Sequence, residues 1–307
     1  MRILVLGAGG IGGYYGARIQ AAGGDVSFLV RPARAEQLKK DGLNVSSPFG
    51  DLHLPAQCLT KEQLKTPFDV IILSCKAFDL ESSMEAIAPA VGEGSVILPL
   101  LNGVRHIDAL VERFGAGKVL GGVAAISVTL AANGEIQHLN KMHRFITGAR
   151  GVPAPQVLEP LAQLLAKSGF DFVLSPNIDQ ALWDKFVFLT SLAGATCTLR
   201  ASVGQILGTV AGESFITGLL DECARVAAAS GHPVAEAQLG VYRNMLTEKG
   251  SGLMASMLRD VEKGGPTEAD HILGDMVARA DALGITAHCL RLAYSHLQAY
   301  DLRRQAS

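Results

Sequence analysis

The chain has 307 residues, 49% hydrophobic and 18% charged, a globular, core-rich composition long enough for two domains. A formal net charge of −2 leaves no basic footprint for nucleic acid, and no apolar run reaches the length of a bilayer span. Five cysteines without a C-x-x-C pair, eight histidines without zinc spacing and an N-terminal apolar stretch too short for a signal peptide predict a reduced, cytoplasmic protein without a metal.

Arg2-Ile3-Leu4-Val5-Leu6 reads as a strand that runs straight into Gly7-Ala8-Gly9-Gly10-Ile11-Gly12. This G-x-G-x-x-G turn, after a strand and before a helix, is the phosphate-binding turn of a dinucleotide-binding βαβ unit. Gly7 allows the tight turn, Gly9 lets backbone approach a pyrophosphate, and Gly12 lets the helix pack close to the sheet. All six residues are therefore cofactor-binding candidates, with the helix N-terminus pointing its N–H groups at the phosphates. A helix from Ile11 to Ala22 ends at Gly23-Gly24, and Val26–Val30 reads as the second strand. An NAD site usually carries Asp or Glu about 20 residues beyond the glycines. Here Arg31-Pro32-Ala33-Arg34 stands in that place. An arginine suits a 2′-phosphate, so NADP(H) is the expected cofactor and Arg31 its main reader.

Further along, Asp69–Ser74 is a continuous apolar run suited to a strand covered on both faces. A helix around Leu80 to Ala90 and a strand at Ser95–Pro99 follow. Gly121–Leu130 and Glu135–Leu139 read as a hairpin across Asn133-Gly134, with Arg144–Thr147 as a third strand. These predict antiparallel additions to the sheet. Pro153 and Pro155 are read as opening a helix to about Lys167, and Phe172–Leu174 as returning to the sheet. Beyond Ser175-Pro176-Asn177 only helical periodicity remains. The expected fold is α/β: a Rossmann-type, mostly parallel sheet over residues 1–175, then an all-α domain over 176–307. Apolar helix stripes in the second domain fit either its own core or a homodimer interface, and period alone does not separate the two.

Two residues of the second domain stand out. Lys185, placed on a helix, has Ile178, Ala181, Leu182, Phe188, Leu189 and Leu192 as its helical neighbours. A lysine on such a stripe either snorkels to the rim or lines a partly dry cleft, where its pKa falls toward neutrality. Thr267-Glu268-Ala269-Asp270 resembles a helix start, with Thr267 capping and Asp270 at the reciprocal position. Glu268 is either a first-turn carboxylate suited to the helix dipole or, sharing the inward face of Ile272 and Met276, a partner for Lys185 at an interdomain cleft. In the first domain, Lys76 and Asn102 follow the carboxyl ends of two strands, where open α/β sheets bind ligands. Lys76 either anchors an anionic substrate or caps a loop; Asn102 either bonds cofactor or substrate or supplies an Asn-Gly turn.

Taken together, Gly7, Gly9, Gly12, Arg31, Ser74-Cys75-Lys76-Ala77, Asn102-Gly103, Trp183-Asp184-Lys185, Ser256-Met257-Leu258-Arg259-Asp260 and Thr267-Glu268-Ala269-Asp270 resemble the ketopantoate reductase (2-dehydropantoate 2-reductase) family in order and spacing. The resemblance covers essentially the whole chain. It implies NADPH-dependent reduction of a small-molecule 2-oxo acid to a 2-hydroxy acid, between a Rossmann domain and a helical domain. It also implies that Lys185 is the general acid, that Glu268 binds substrate and orients Lys185, and that Ser256 contacts the substrate. Lys76 and Asn102 would lie at the cofactor–substrate junction. The chain departs from the family at Leu189, Ala193 and Val203, where the ketopantoate-specific pattern carries asparagines; fewer amides make a more apolar pocket. Other 3-hydroxyacid or opine-type dehydrogenases, and a non-catalytic NADP(H)-binding sensor, are the alternatives. The joint presence of Lys185 and Glu268 argues against the sensor.

Overall fold

The strand β1 (Arg2–Leu6) is apolar because it is covered on both faces: Ile3, Leu4 and Val5 have no exposed surface. The computed structural model describes residues 1–151 and 153–306. They divide into two units, one made of Met1–Leu101 with His106–Ala181, the other of Asn102–Arg105 with Leu182–Ser307.

In the first unit, α1 (Gly10–Ala21), β2 (Asp25–Leu29), α2 (Pro32–Asp41), β3 (Leu43–Ser46), β4 (Leu52–Leu54), β5 (Gln57–Leu59) and β6 (Phe68–Leu73) follow β1. Then come α3 (Leu80–Ile87), β7 (Val91–Pro99), α4 (Arg105–Phe114), β8 (Gly121–Leu130), β9 (Ile136–Gly148), α5 (Leu158–Leu165) and β10 (Asp171–Leu174). One sheet runs β5-β2-β1-β6-β7 with every neighbour parallel, as expected for a Rossmann-type unit.

The antiparallel additions are not part of that sheet. A second sheet runs β10-β9-β3-β4, with β8 paired antiparallel to β9. The segment read as Glu135–Leu139 enters a strand only at Ile136, and it and Arg144–Thr147 are parts of one strand, β9, with which Phe172–Leu174 pairs parallel. The physical reason is α1, which lies between the sheets. A Cβ at Gly16 would sit 2.6 Å from the Phe28 ring on the first sheet, and one at Gly13 would strike Ile136 on the second. Tyr15, also on α1, packs edge-on to Phe145 and Phe170 at 4.9 and 5.2 Å. Pro153 and Pro155 precede α5 rather than opening it, and the helix begins at Leu158.

Gly12 shows how closely helix and sheet approach. An added Cβ there would strike the Ser74 hydroxyl, which bonds the Leu6 carbonyl, and lie 2.6 Å from the Gly7 carbonyl oxygen, which is backbone of the turn itself. Gly12→Ala is therefore expected to destabilise the protein by about 1–3 kcal/mol and to weaken dinucleotide binding, measured by thermal melting and cofactor titration.

In the second unit the described residues form helices only: most of α6 (Ile178–Leu199), then α7 (Val203–Leu207), α8 (Gly212–Ala229), α9 (Glu236–Leu246), α10 (Ser256–Glu262), α11 (Asp275–Ala282) and α12 (His288–Gln305). The central α8 buries Ile216, Leu219, Leu220, Cys223 and Val226 on one stripe. Its Glu222 is buried too, and accepts the backbone N–H groups of Cys289 (3.1 Å) and Leu290 (2.8 Å). A carboxylate from one helix thus satisfies the open amides at the start of α12.

Candidate active site

The glycine turn has the geometry its sequence predicts. Gly7 holds φ +86° while its N–H donates to the Leu29 carbonyl at 2.9 Å, so the turn is pinned to β2. Ala8 and Gly12 are buried, whereas Gly9, Gly10 and Ile11 keep partial exposure. Gly9 is the N-cap of α1 and supplies no side-chain cap, and a Cβ built on it would meet nothing within 4 Å. The side-chain position of Gly9 is therefore open, which leaves room for a pyrophosphate to approach the backbone at the start of α1. Arg31 is the exposed N-cap of α2, beyond the end of β2. At the end of β6, Ser74 donates its hydroxyl to the Leu6 carbonyl at 3.1 Å, tying two strand ends together. Lys76 follows, half-buried, heading a short 3₁₀ turn in which the Asp79 N–H donates to its carbonyl at 2.9 Å.

In the helical unit, Lys185 lies on α6 with Leu182 and Phe186 buried beside it and Phe188 and Leu189 half-buried one turn on. The residue keeps some surface, yet its ammonium is desolvated. Burial lowers its pKa to about 8, and the nearby Glu268 carboxylate acts in the opposite direction. Trp183, next to it in sequence, stacks on His232 at 4.9 Å and lies under the Arg279 guanidinium at 5.1 Å, which fixes this part of α6.

Glu268 is only 5% exposed, on the same buried side as Ile272 and Met276. Only half of the capping expected around it forms: the Thr267 hydroxyl accepts the Ala269 N–H at 3.3 Å. The same hydroxyl donates to Asp301 at 2.7 Å, and Asp270 accepts the Tyr294 hydroxyl at 2.7 Å rather than making the reciprocal bond, so Asp270 is taken by α12. The backbone from Asp270 to Gly274 is a π-helical turn that leads into α11. Such turns are a recurrent feature of functional sites.

Asn102 and Gly103 group with the helical unit. Gly103 holds φ +76°, and a Cβ there would be 3.0 Å from the His271 ring and 3.2 Å from its carbonyl oxygen. The His271 ring hydrogen-bonds the Asn102 backbone, and burial lowers its pKa against the nearby Glu268 and Asp275 carboxylates. Lys185, Glu268 and Asn102 are thus brought together, the last through His271. Sequence reading missed this histidine; its spacing of three from Glu268 was the available signal. Ser256 opens α10, half-buried, and the preceding Ala255 N–H donates to Thr196 on α6 at 3.4 Å. Of the three positions read as apolar pocket substitutions, Leu189 is half-buried near Lys185. Ala193 and Val203 are buried in the packing of the helical unit, where apolar character serves the core.

Among the described residues no group of three or more His, Cys, Asp or Glu is placed to hold a metal ion, and no helix is long and apolar enough to cross a membrane. The sequence profile of ketopantoate reductase PanE/ApbA matches residues 3–151, and that of its C-terminal domain matches residues 177–301. The oxidoreductase YkpB of Bacillus subtilis is 35% identical over 99% of this chain and 100% of its own. The crystal structure of 2-dehydropantoate 2-reductase from Geobacter metallireducens is 30% identical, with a TM-score of 0.88 and full coverage of both chains. D-mandelate dehydrogenase, solved with NADH and anilino(oxo)acetate, shares the fold at 21% identity and a TM-score of 0.88, covering 99% of this chain and 100% of its own.

Proposed function

The chain belongs to the ketopantoate reductase (PanE/ApbA) family of oxidoreductases, and from that premise we propose that it reduces a 2-oxo acid to the 2-hydroxy acid with NADPH as reductant and Lys185 as proton donor. The observation that carries the reading is the desolvated Lys185 with Glu268 beside it, a pairing that poises an ammonium to give up a proton near neutral pH. NADPH, when bound, supplies the hydride. Gly7, Ala8, Gly9, Gly10, Ile11 and Gly12 hold its pyrophosphate. Residues 1–175 carry the dinucleotide site and residues 176–307 the acid–base pair. Lys185 protonates the oxygen of the carbonyl as it takes on negative charge, and its cationic form stabilises that charge beforehand. Glu268 keeps the ammonium charged and oriented. Lys76, Asn102 and Ser256 bind the remaining polar groups of substrate and cofactor.

The exposed Arg31 at the end of β2 supports NADPH over NADH, because a guanidinium matches the 2′-phosphate that only NADPH carries. Arg31→Ala is expected to weaken NADPH binding about tenfold, the worth of one charge-assisted contact, with NADH affected less than about twofold. Equal weakening of both, read by nicotinamide fluorescence titration, would remove Arg31 from the 2′-phosphate site.

A second reading concerns the substrate's side chain. Phe188 and Leu189, half-buried one turn beyond Lys185, present a surface with no hydrogen-bonding group of its own. That surface favours a 2-oxo acid with an apolar or aryl side chain over one bearing a hydroxyl. NADPH oxidation with 2-dehydropantoate, branched 2-oxo acids and aryl 2-oxo acids separates the two. The higher kcat/KM identifies the substrate class, and no turnover with any 2-oxo acid would refute the reductase reading.

A further inference from the structure

Arg34 lies one turn beyond Arg31 on α2, and the two arginines face different tasks. Arg31 is exposed, whereas Arg34 is half-buried and directs its guanidinium inward. Its Nη2 donates to the Ala8 carbonyl inside the glycine turn and to the Gly134 carbonyl in the β8–β9 turn, each at 3.0 Å. Its Nη1 donates to Gln37 Oε1 at 2.7 Å, and Gln37 Nε2 in turn donates to the Asn133 carbonyl at 3.0 Å. One guanidinium thus ties together α2, the phosphate-binding turn and a hairpin turn 100 residues away in sequence. Gly134 has to be a glycine for this: it holds φ +86°, and an added Cβ would lie 2.6 Å from Arg34 Nη1. The hairpin also reaches the start of α1, since a Cβ on Gly10 would be 3.1 Å from Val128.

The bond to Ala8 carries a consequence for its neighbour. In a planar trans peptide the C=O and the following N–H point in opposite directions. With the Ala8 oxygen held by Arg34, the Gly9 N–H points away from the guanidinium. Gly9 is the residue over which the turn is open. A cation on the carbonyl also polarises the peptide and strengthens that N–H as a donor.

We infer that Arg34 is a positioning residue of the dinucleotide site: it fixes the Ala8–Gly9 peptide so that the Gly9 N–H faces the pyrophosphate of the cofactor. The inference rests on the reading that the glycine turn holds NADPH. Arg34 acts on the pyrophosphate, which NADPH and NADH share, and not on the 2′-phosphate, which Arg31 reads.

The test is titration of the 307-residue protein and its Arg34→Met, Arg34→Lys, Arg34→Gln, Gln37→Leu and Arg31→Ala variants with NADPH and with NADH, following nicotinamide fluorescence and calorimetric heat. Arg34→Met is expected to weaken both dinucleotides by the same factor, about tenfold. Arg34→Lys keeps a cationic donor and should recover most of the loss for both. Gln37→Leu loosens the hairpin clasp but leaves the bond to Ala8, so binding should stay within about twofold of wild type. Binding of both dinucleotides unchanged in Arg34→Met would overturn the inference. So would a loss confined to NADPH, which would make Arg34 a 2′-phosphate reader, or an equal loss in Gln37→Leu, which would assign the effect to hairpin docking. If Arg34→Met does not fold, failure of Arg34→Lys to outperform Arg34→Gln for both dinucleotides overturns it. Wild-type protein that binds neither dinucleotide would instead sink the cofactor reading on which the inference stands.

Discussion

Lys185→Ala is expected to lower kcat for 2-oxo acid reduction by about 10²–10⁴, the range contributed by a positioned general acid, while NADPH affinity stays within about twofold. The separation follows from where the residues lie. In the proposed site the glycine turn and Arg31, both in the first unit, hold the phosphates, whereas Lys185 of the second unit acts on the substrate carbonyl. The wild-type pH profile is part of the same prediction. Lys185 titrates near 8, and only its protonated form donates. Reduction should therefore be flat below that value and fall as pH rises through it, whereas oxidation of the 2-hydroxy acid needs the neutral amine and should rise over the same interval. Stopped-flow measurement from pH 6 to 10 reads both limbs, NADPH oxidation with the 2-oxo acid for the first and NADP⁺ reduction with the 2-hydroxy acid for the second. Near-normal turnover in Lys185→Ala, or a profile without a limb near 8, would show that another group supplies the proton.

The parts of this molecule that were legible in its sequence are those set by near neighbours. The run Arg2–Leu6 and the glycines after it encode β1 and the start of α1 because burial on both faces and close helix packing leave local marks. The helical stripe around Lys185 and the inward face of Glu268 were visible for the same reason, through the 3.6-residue period. The short strands β3, β4 and β5 were not visible: they are three or four residues each and carry no continuous apolar run, and β3 and β5 are placed by pairing with β9 and β2, farther off in sequence. Nor does a hairpin signal say which side of α1 the hairpin occupies, and that choice created the second sheet. Before the π-helical turn the Thr267 cap forms, but Tyr294 of α12 claims Asp270, so the reciprocal half of a capping box plausible by spacing gave way to a longer-range bond.

The second large effect is expected at Glu268. Two influences of opposite sign act on Lys185, burial lowering its pKa and the Glu268 carboxylate raising it. Glu268→Gln keeps the shape and removes the charge, so burial acts unopposed and Lys185 titrates below its wild-type value of about 8. The high-pH limb of reduction should then move to lower pH, and less of the donor form remains at neutrality. With the ammonium also losing its orienting partner, turnover at pH 7.5 should fall by about 10²-fold, the scale of a small misplacement of a reacting group. Glu268→Asp retains the charge, so its limb should stay close to the wild-type position even if its maximum rate drops. A carboxylate that merely packed the start of the π-helical turn would lower the rate in both variants without shifting either limb. An unshifted limb in Glu268→Gln would therefore detach Glu268 from Lys185 and leave it a structural residue.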